Sequence, residues 1–355
     1  FLSEYLEYPW DEVHAEAERL EHAVSQRFVT ALDRLLENPG TDPHGAPIPA
    51  TDGSMHEPDY SALSDLQIGE AAIVRRVNDG DANLLRYLGE IGVSLLSLAN
   101  NHAWDYGASG VLSAIAAVEA RGFTHSGSGV DVSEATAPSY LQVGRFTVSL
   151  VSAASVNTSQ DARATATRAG LNMLDPGEMA DWDRNLSSIR VARAESDVVV
   201  AYQHFQTDAE PGWQEEWARA AIDAGADIYV SHGQPTLMGV EAYGGGLILY
   251  GLGNFIFQTK TEPGRYPADV WQSVLAEVVI GDEGVKEVTF TPVVLDSGEQ
   301  GPLFLETRGF PEVADAETGR SILDRLIGLS APYETSFHLS GGRATLLLSE
   351  QTGAN

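Results

Sequence analysis

A layered α/β sandwich with its helices outside is the fold class that the sequence predicts. Three observations carry it. Short apolar runs alternate with amphipathic stretches through the middle of the chain, several strand-like runs follow one another from Gly246 onward, and 355 residues at 43% hydrophobic suffice to bury a sizeable core.

Taken in order, residues 10–36 predict an amphipathic helix, because Val13, Ala17, Leu20, Val24, Phe28, Ala31 and Leu35 recur at three- and four-residue steps. Residues 37–60, rich in Pro, Gly, Asp and His, read as a loop. A short strand is expected at 66–68, closing on Gly69-Glu70. A short helix at 83–90 leads to a buried strand at 94–98. Residues 110–121 form a helix stopped by Gly122. A strand follows at 146–152, then a polar loop over 155–175 and a helix over 181–194. The run DVVVAY at 197–202 is a buried strand, 213–224 a helix ended by Gly225, and 227–230 another strand. Strands at 246–252, 274–280 and 287–294 complete the pattern. Residues 1–60 are expected as an N-terminal helix-and-loop extension, 61–345 as the main domain and 346–355 as a tail.

Composition narrows the function. With 51 acidic against 21 basic side chains, the net charge is −30. Such a surface repels nucleic acid and anionic membrane, and suits a basic partner. The absence of cysteine removes disulfides, thiolate metal sites and cysteine nucleophiles. No apolar run approaches the ~18 residues of a membrane span, and no signal segment is visible, so a cytoplasmic location without membrane insertion is expected.

Three strand ends carry chemistry-bearing residues. The stretch SLLSLANNHAWDYGASG at 94–110 leaves its strand into Asn100, Asn101 and His102. DVVVAYQHFQ runs from a strand into Gln203 and His204, and DIYVSHGQPTLMGVE into Ser231 and His232. A lone histidine is most often structural, but three in one topological position converge at one edge of a parallel sheet. Neutral imidazoles with amide and carboxylate oxygens suit divalent ions such as Mn, Zn or Fe. Asn101, Gln203, Gln234 and Glu241 are placed to supply such oxygens, and Glu70 ends a fourth strand. Asn254, after a strand closing on Gly251-Leu252-Gly253, is expected to line the crevice. Asp105 reads better as an acid favoured by the N-terminus of the next helix than as a partner of His102. Ser126-Gly127-Ser128-Gly129 reads as a plain turn, since it lacks the Lys-Ser/Thr of a phosphate-binding loop.

SLANNHAWDYG, AGLN at 169–172, the long run at 223–258 and GRSILDRLIGLSAPYETSF near the C-terminus resemble the poly-γ-glutamate capsule synthesis (CapA) family, itself similar to the calcineurin-like metallophosphoesterases. The resemblance covers residues 60–345 and implies a four-layer α/β/β/α sandwich with a metal site at the strand ends. It makes Asn101, His204 and His232 metal ligands, His102 the acid or base beside them, with His204 also counted catalytic, and Glu70 a further acidic ligand. Gln203, Gln234 and Asn254 are expected to touch substrate. The implied cofactor is a divalent metal (Mn, Zn, Fe, Mg or Ca). The family's opening strand ending in Gly-Asp has no counterpart, Asp52-Gly53 being a poor substitute. Its Gly-His-x-x-His has become Ser231-His232-Gly233-Gln234-Pro235. That thinned set leaves three readings: a hydrolase-type enzyme acting on a peptide-like or small phosphoester substrate, a metal-dependent peptide epimerase that removes and returns a Cα proton on a ribosomal (lasso-type) precursor, or a non-catalytic subunit of polymer synthesis or export.

Overall fold

The computed structural model describes residues 34–35, 82–155, 158–205, 212–257, 266–281, 284–295 and 309–351. The chain divides into two compact units, Phe1–Asp81 and Ala82–Asn355. The strand expected at 66–68, Glu70, and all of the first helix except 34–35 lie outside the described residues. The second unit begins at Ala82, later than the boundary expected after residue 60.

A mixed α/β architecture with several sheets builds this second unit. Helix α1 (Ala82–Glu90) leads into β1 (Leu95–Ser97), then α2 (Gly107–Glu119), β2 (Thr124–Ser126) and β3 (Ser128–Gly129). After α3 (Val132–Thr136) come β4 (Ser139–Val143), β5 (Phe146–Ala154), β6 (Gly170–Leu171), α4 (Met179–Glu195), β7 (Val198–His204), α5 (Trp213–Asp223) and β8 (Ile228–His232). The remainder is β9 (Val240–Tyr243), β10 (Gly246–Leu249), β11 (Gln272–Gly281), β12 (Gly284–Val294), β13 (Glu312–Val313), α6 (Ala316–Ser330), β14 (His338–Ser340), β15 (Arg343–Leu347) and α7 (Leu348–Gln351).

The main sheet has the order β4-β5-β7-β8-β10-β9. Strands β5, β7, β8 and β10 are parallel, and the antiparallel β4 and β9 flank them. Parallel strands need crossovers, and α4 and α5 supply them. Residues alternate between faces along each strand. Val151, Ala153, Val199, Ala201, Tyr229 and Ile248 face α4 and α5, where Ile189, Ala192, Trp213 and Trp217 cover them. The opposite face, with Ile228, Leu247 and Leu249, packs on Val274, Val288 and Phe290 of the second sheet and on Ile322 and Leu326 of α6. That second sheet runs β11-β12-β15-β14, and the parallel pair β1-β2 forms a small sheet of its own.

The four-layer expectation is met only in part. Helices, main sheet and second sheet stack as three layers. Along β11, however, Leu275, Glu277 and Val279 are exposed on the outer face, so among the described residues no helical fourth layer covers it. Leu346 and Leu348 are buried in the inter-sheet core, because β15 is an inner strand paired to both β12 and β14.

Candidate active site

Register sets the first half of the site. β7 and β8 are adjacent and parallel, and their pairing places His204 directly beside His232. Both are the last residues of their strands rather than residues beyond them. By alternation they emerge on the face turned toward the second sheet, with Val200 and Tyr202 on one strand and Ile228 and Val230 on the other. Their ring centroids lie 5.9 Å apart with planes inclined at 44°. Past the strand end, Phe205 N donates to His232 O at 2.7 Å, which continues the ladder. Gly233 makes this approach possible. Its φ is +128°, and a Cβ there would sit 2.3 Å from Phe205 O.

The other half comes from the exit of β1. Ala99 is fully buried, so the chain turns only beyond it. Asn100 Oδ1 accepts from His102 N at 2.9 Å, closing a tight polar turn. The turn brings Asn101 Oδ1 to 2.8 Å from His204 Nε2, across 103 residues of sequence. His102 Nδ1 pairs with Asp105 Oδ2 at 3.0 Å. Asp105 is therefore the partner of His102, correcting its reading as a helix-terminal acid. Helix α2 starts only at Gly107, and the turns Ala103 N to Asn100 O and Asp105 N to His102 O fold Asp105 back onto the imidazole.

Burial sets the electrostatics. His204 is 5% exposed, and desolvation pushes its pKa down to about 4, with the nearby His232 and His102 adding to the effect. His232 keeps a solvent-open edge while protein crowds the rest of its ring, and that crowding lowers its pKa as well. Both rings are thus held neutral with lone pairs available at neutral pH. His204 Nδ1 is buried without a partner among the described residues. Its hydrogen bonding is incomplete among those residues.

These donors fit a divalent ion. The 2.8 Å between His204 Nε2 and Asn101 Oδ1 is near the ~3 Å that adjacent ligands span around an ion with bonds of about 2.1 Å. Among the described residues, no three His, Asp or Glu side chains cluster to hold one, so the amide oxygen of Asn101 is needed beside His204 and His232. Glu70 lies outside the described residues.

Other expected site residues go elsewhere. Gln203 is fully buried on the helix-facing side of β7, where it donates to Ser155 Oγ at 2.8 Å and accepts from Tyr229 OH. It ties β5, β7 and β8 together behind the histidines and does not face substrate. Glu241 is buried on β9, bound by Arg219 at 2.9 Å and by Tyr250 OH at 2.6 Å. It is not an oxygen donor of the site. Asn254 donates to Val270 O at 3.1 Å, anchoring its own loop. Gln234 lies half-buried just after β8. Ser126 and Ser128 are buried, so that turn is packing: a Cβ at Gly127 would meet Ala99 Cβ at 2.6 Å.

The family of bacterial capsule synthesis proteins, PGA_cap, matches residues 75–259, more than half of the chain. The metal-binding and dimerisation domain of iron-dependent repressors matches residues 1–50. The PGA biosynthesis protein CapA of Bacillus subtilis is 29% identical over 224 residues, covering 62% of this chain and 55% of that protein. The iron-dependent repressor IdeR of Mycobacterium leprae is 36% identical over 104 residues, 26% of this chain and 45% of that protein. A crystal structure of a phosphatase from Mycoplasma pneumoniae aligns over 60% of this chain and 69% of its own at 9% identity, with a TM-score of 0.35, too partial an overlap to argue fold from. The chain spans about half the length of the capsule proteins it matches. The repressor-like segment went unread from periodicity alone. A signal was present in the sequence, where His14, Glu18 and His22 recur at four-residue steps.

Proposed function

Because the chain belongs to the PGA_cap family of bacterial capsule synthesis proteins, we propose that it is a metal-dependent CapA-like enzyme with hydrolase-type chemistry on a peptide-like or phosphoester substrate. The observation that carries this reading is the convergence of Asn101, His102, His204 and His232 from three separate strand exits. Asn101, His204 and His232 would hold the ion. When bound, it supplies Lewis-acid polarisation of a carbonyl or phosphoryl oxygen.

The chain's own residues do the rest. Burial keeps His204 uncharged, so its nitrogen stays a donor of electrons rather than of protons. His102 is exposed at the mouth of the site, where an acid or base must meet substrate. Asp105 holds Nδ1 of His102, which sets the ring to take or deliver a proton at the mouth of the site. The carboxylate fixes the ring's orientation.

The test is divalent-metal content by elemental analysis, wild type against His232→Ala and His204→Ala. The variants are expected to lose one ion per chain relative to wild type, and activity on phosphoesters and on peptides in deuterated water with it. Solvent deuterium at a Cα without a mass loss from cleavage would point to epimerisation instead. Equal metal content in all three proteins sinks the assignment of ligands.

The match of residues 1–50 supports a second component, metal-dependent self-association through the N-terminal unit. Light scattering on the full chain is expected to give twice the 38.0 kDa chain mass with Mn²⁺ and a lower mass after chelation. A monomer under both conditions refutes it.

A further inference from the structure

Most of the cationic groups placed near the strand ends are already engaged. Arg163 and Arg184 both bind the buried Asp181. At the opposite, N-terminal ends of the strands, a cavity of about 550 Å³ lined by Arg145, Arg193, Asp197 and Asp227 holds Arg193 on Asp227 at 2.7 Å. Arg168 is different. Its guanidinium carbon lies 5.3 Å over the ring of Trp104, two residues beyond His102. One nitrogen, Nη2, donates to Asp161 O at 2.8 Å and to Arg163 O at 3.0 Å. The side chain is nevertheless exposed, and its Nε and Nη1 engage none of the described residues.

The parts around it are closely packed. Trp104 packs at the edge of the cluster formed by Ala99, Val111, Ile115, Ala162 and Leu171. Gly170 lies so close to Ala162 that a Cβ would sit 2.5 Å from its carbonyl oxygen. A ring face and two carbonyls therefore fix the plane of the guanidinium before any ligand arrives, and its remaining edge faces outward. A planar cation with a fixed fork and little entropy left to lose is what recognises a carboxylate or a phosphate. In a chain of net charge −30, an anionic substrate needs such an anchor near the reacting group to offset general repulsion.

We infer that Arg168, stacked on Trp104 beside the His102 turn, is a substrate-binding residue that receives an oxyanion of the substrate, either a carboxylate or a phosphate. The inference rests on the reading that the His102 turn carries the chemistry.

Calorimetric titration of the full chain with γ-linked tetraglutamate and with inorganic phosphate tests it, on wild type, Arg168→Ala, Arg168→Lys and His102→Ala. Arg168→Ala is expected to weaken one probe about 10- to 100-fold, the range of charge-assisted hydrogen bonds. Arg168→Lys should restore part of the affinity, as a point charge without the fork. The probe that responds identifies carboxylate or phosphate as the source. Hydrogen exchange over residues 98–107 separates binding from scaffolding: it should be unchanged in Arg168→Lys. Wild-type affinity in Arg168→Ala, no binding of either probe by wild type, or lost affinity that tracks faster exchange in both Arg168 variants overturns the inference. If Arg168→Ala weakens binding but His102→Ala leaves turnover intact, the anion site stands and the role of His102 falls.

Discussion

His204 concentrates the physics of the site in one side chain. Its pKa of about 4 in the folded protein lies below the ordinary 6.5. The unfolded chain therefore binds a proton over a pH range in which the folded chain does not. The sign follows from linkage: the stability tied to neutral His204 is fully present above about pH 6.5 and falls as pH drops toward 4. The two and a half units correspond to about 3 kcal/mol. In chelator-treated protein, NMR titration should place this imidazole near 4, and the urea midpoint should decline from pH 6.5 downward. A midpoint near 6.5 for His204 would mean that its burial is not maintained in solution. Asp105 makes a complementary case. Asp105→Asn removes the carboxylate that holds the His102 ring but keeps the shape. It should leave metal content unchanged and reduce turnover about 10- to 100-fold. A variant with full activity would return Asp105 to a structural role.

At the scale of elements, the site depends on two strands ending in step. β7 and β8 run in register to their last residues, and the ladder continues only because Gly233 has no side chain. Gly233→Ala would force a methyl group into Phe205 O and a left-handed backbone onto an L-residue. It is expected to destabilise the protein by about 2 kcal/mol or more and to lower metal content through His232. Thermal unfolding and elemental analysis read the two effects separately, and wild-type values in both would show that the chain relaxes around the methyl group. Gln203 works on the same strands from behind. Its bonds to Ser155 and Tyr229 join β5, β7 and β8 on the face away from the histidines.

The molecule as a whole joins a capsule-family unit to a segment that matches a metal-binding and dimerisation domain. On the proposed reading, metal counted on the whole chain sums two contributions. The difference between wild type and His232→Ala isolates the strand-end site. An N-terminal contribution is expected to persist in that variant and to follow the solution mass. A single ion lost entirely in His232→Ala would leave none for the N-terminal unit. Among the described residues no helix is long and apolar enough to cross a membrane.

Much of this was legible in the chain itself. Continuous apolar runs such as DVVVAY, packed on both faces of a sheet, and helical runs such as 110–121 announce their elements. His102, His204 and His232 stand out since polar groups at the ends of buried strands need a reason to be there. β9 and α6 escaped, the one short and the other interrupted by Gly319 and Gly328. Tertiary structure alone decided which neighbours the polar residues face. Gln203 and His204 are adjacent in sequence, but strand alternation sends them to opposite faces, one into a buried network and one into the site. Glu241 and Asn101 look equally suited to a metal in sequence. Arg219 and Tyr250 take the first, while the turn after Ala99 delivers the second to His204. Hydrophobic period is a local property of the chain. The partner of a polar side chain depends on register and on crossovers that join residues a hundred positions apart.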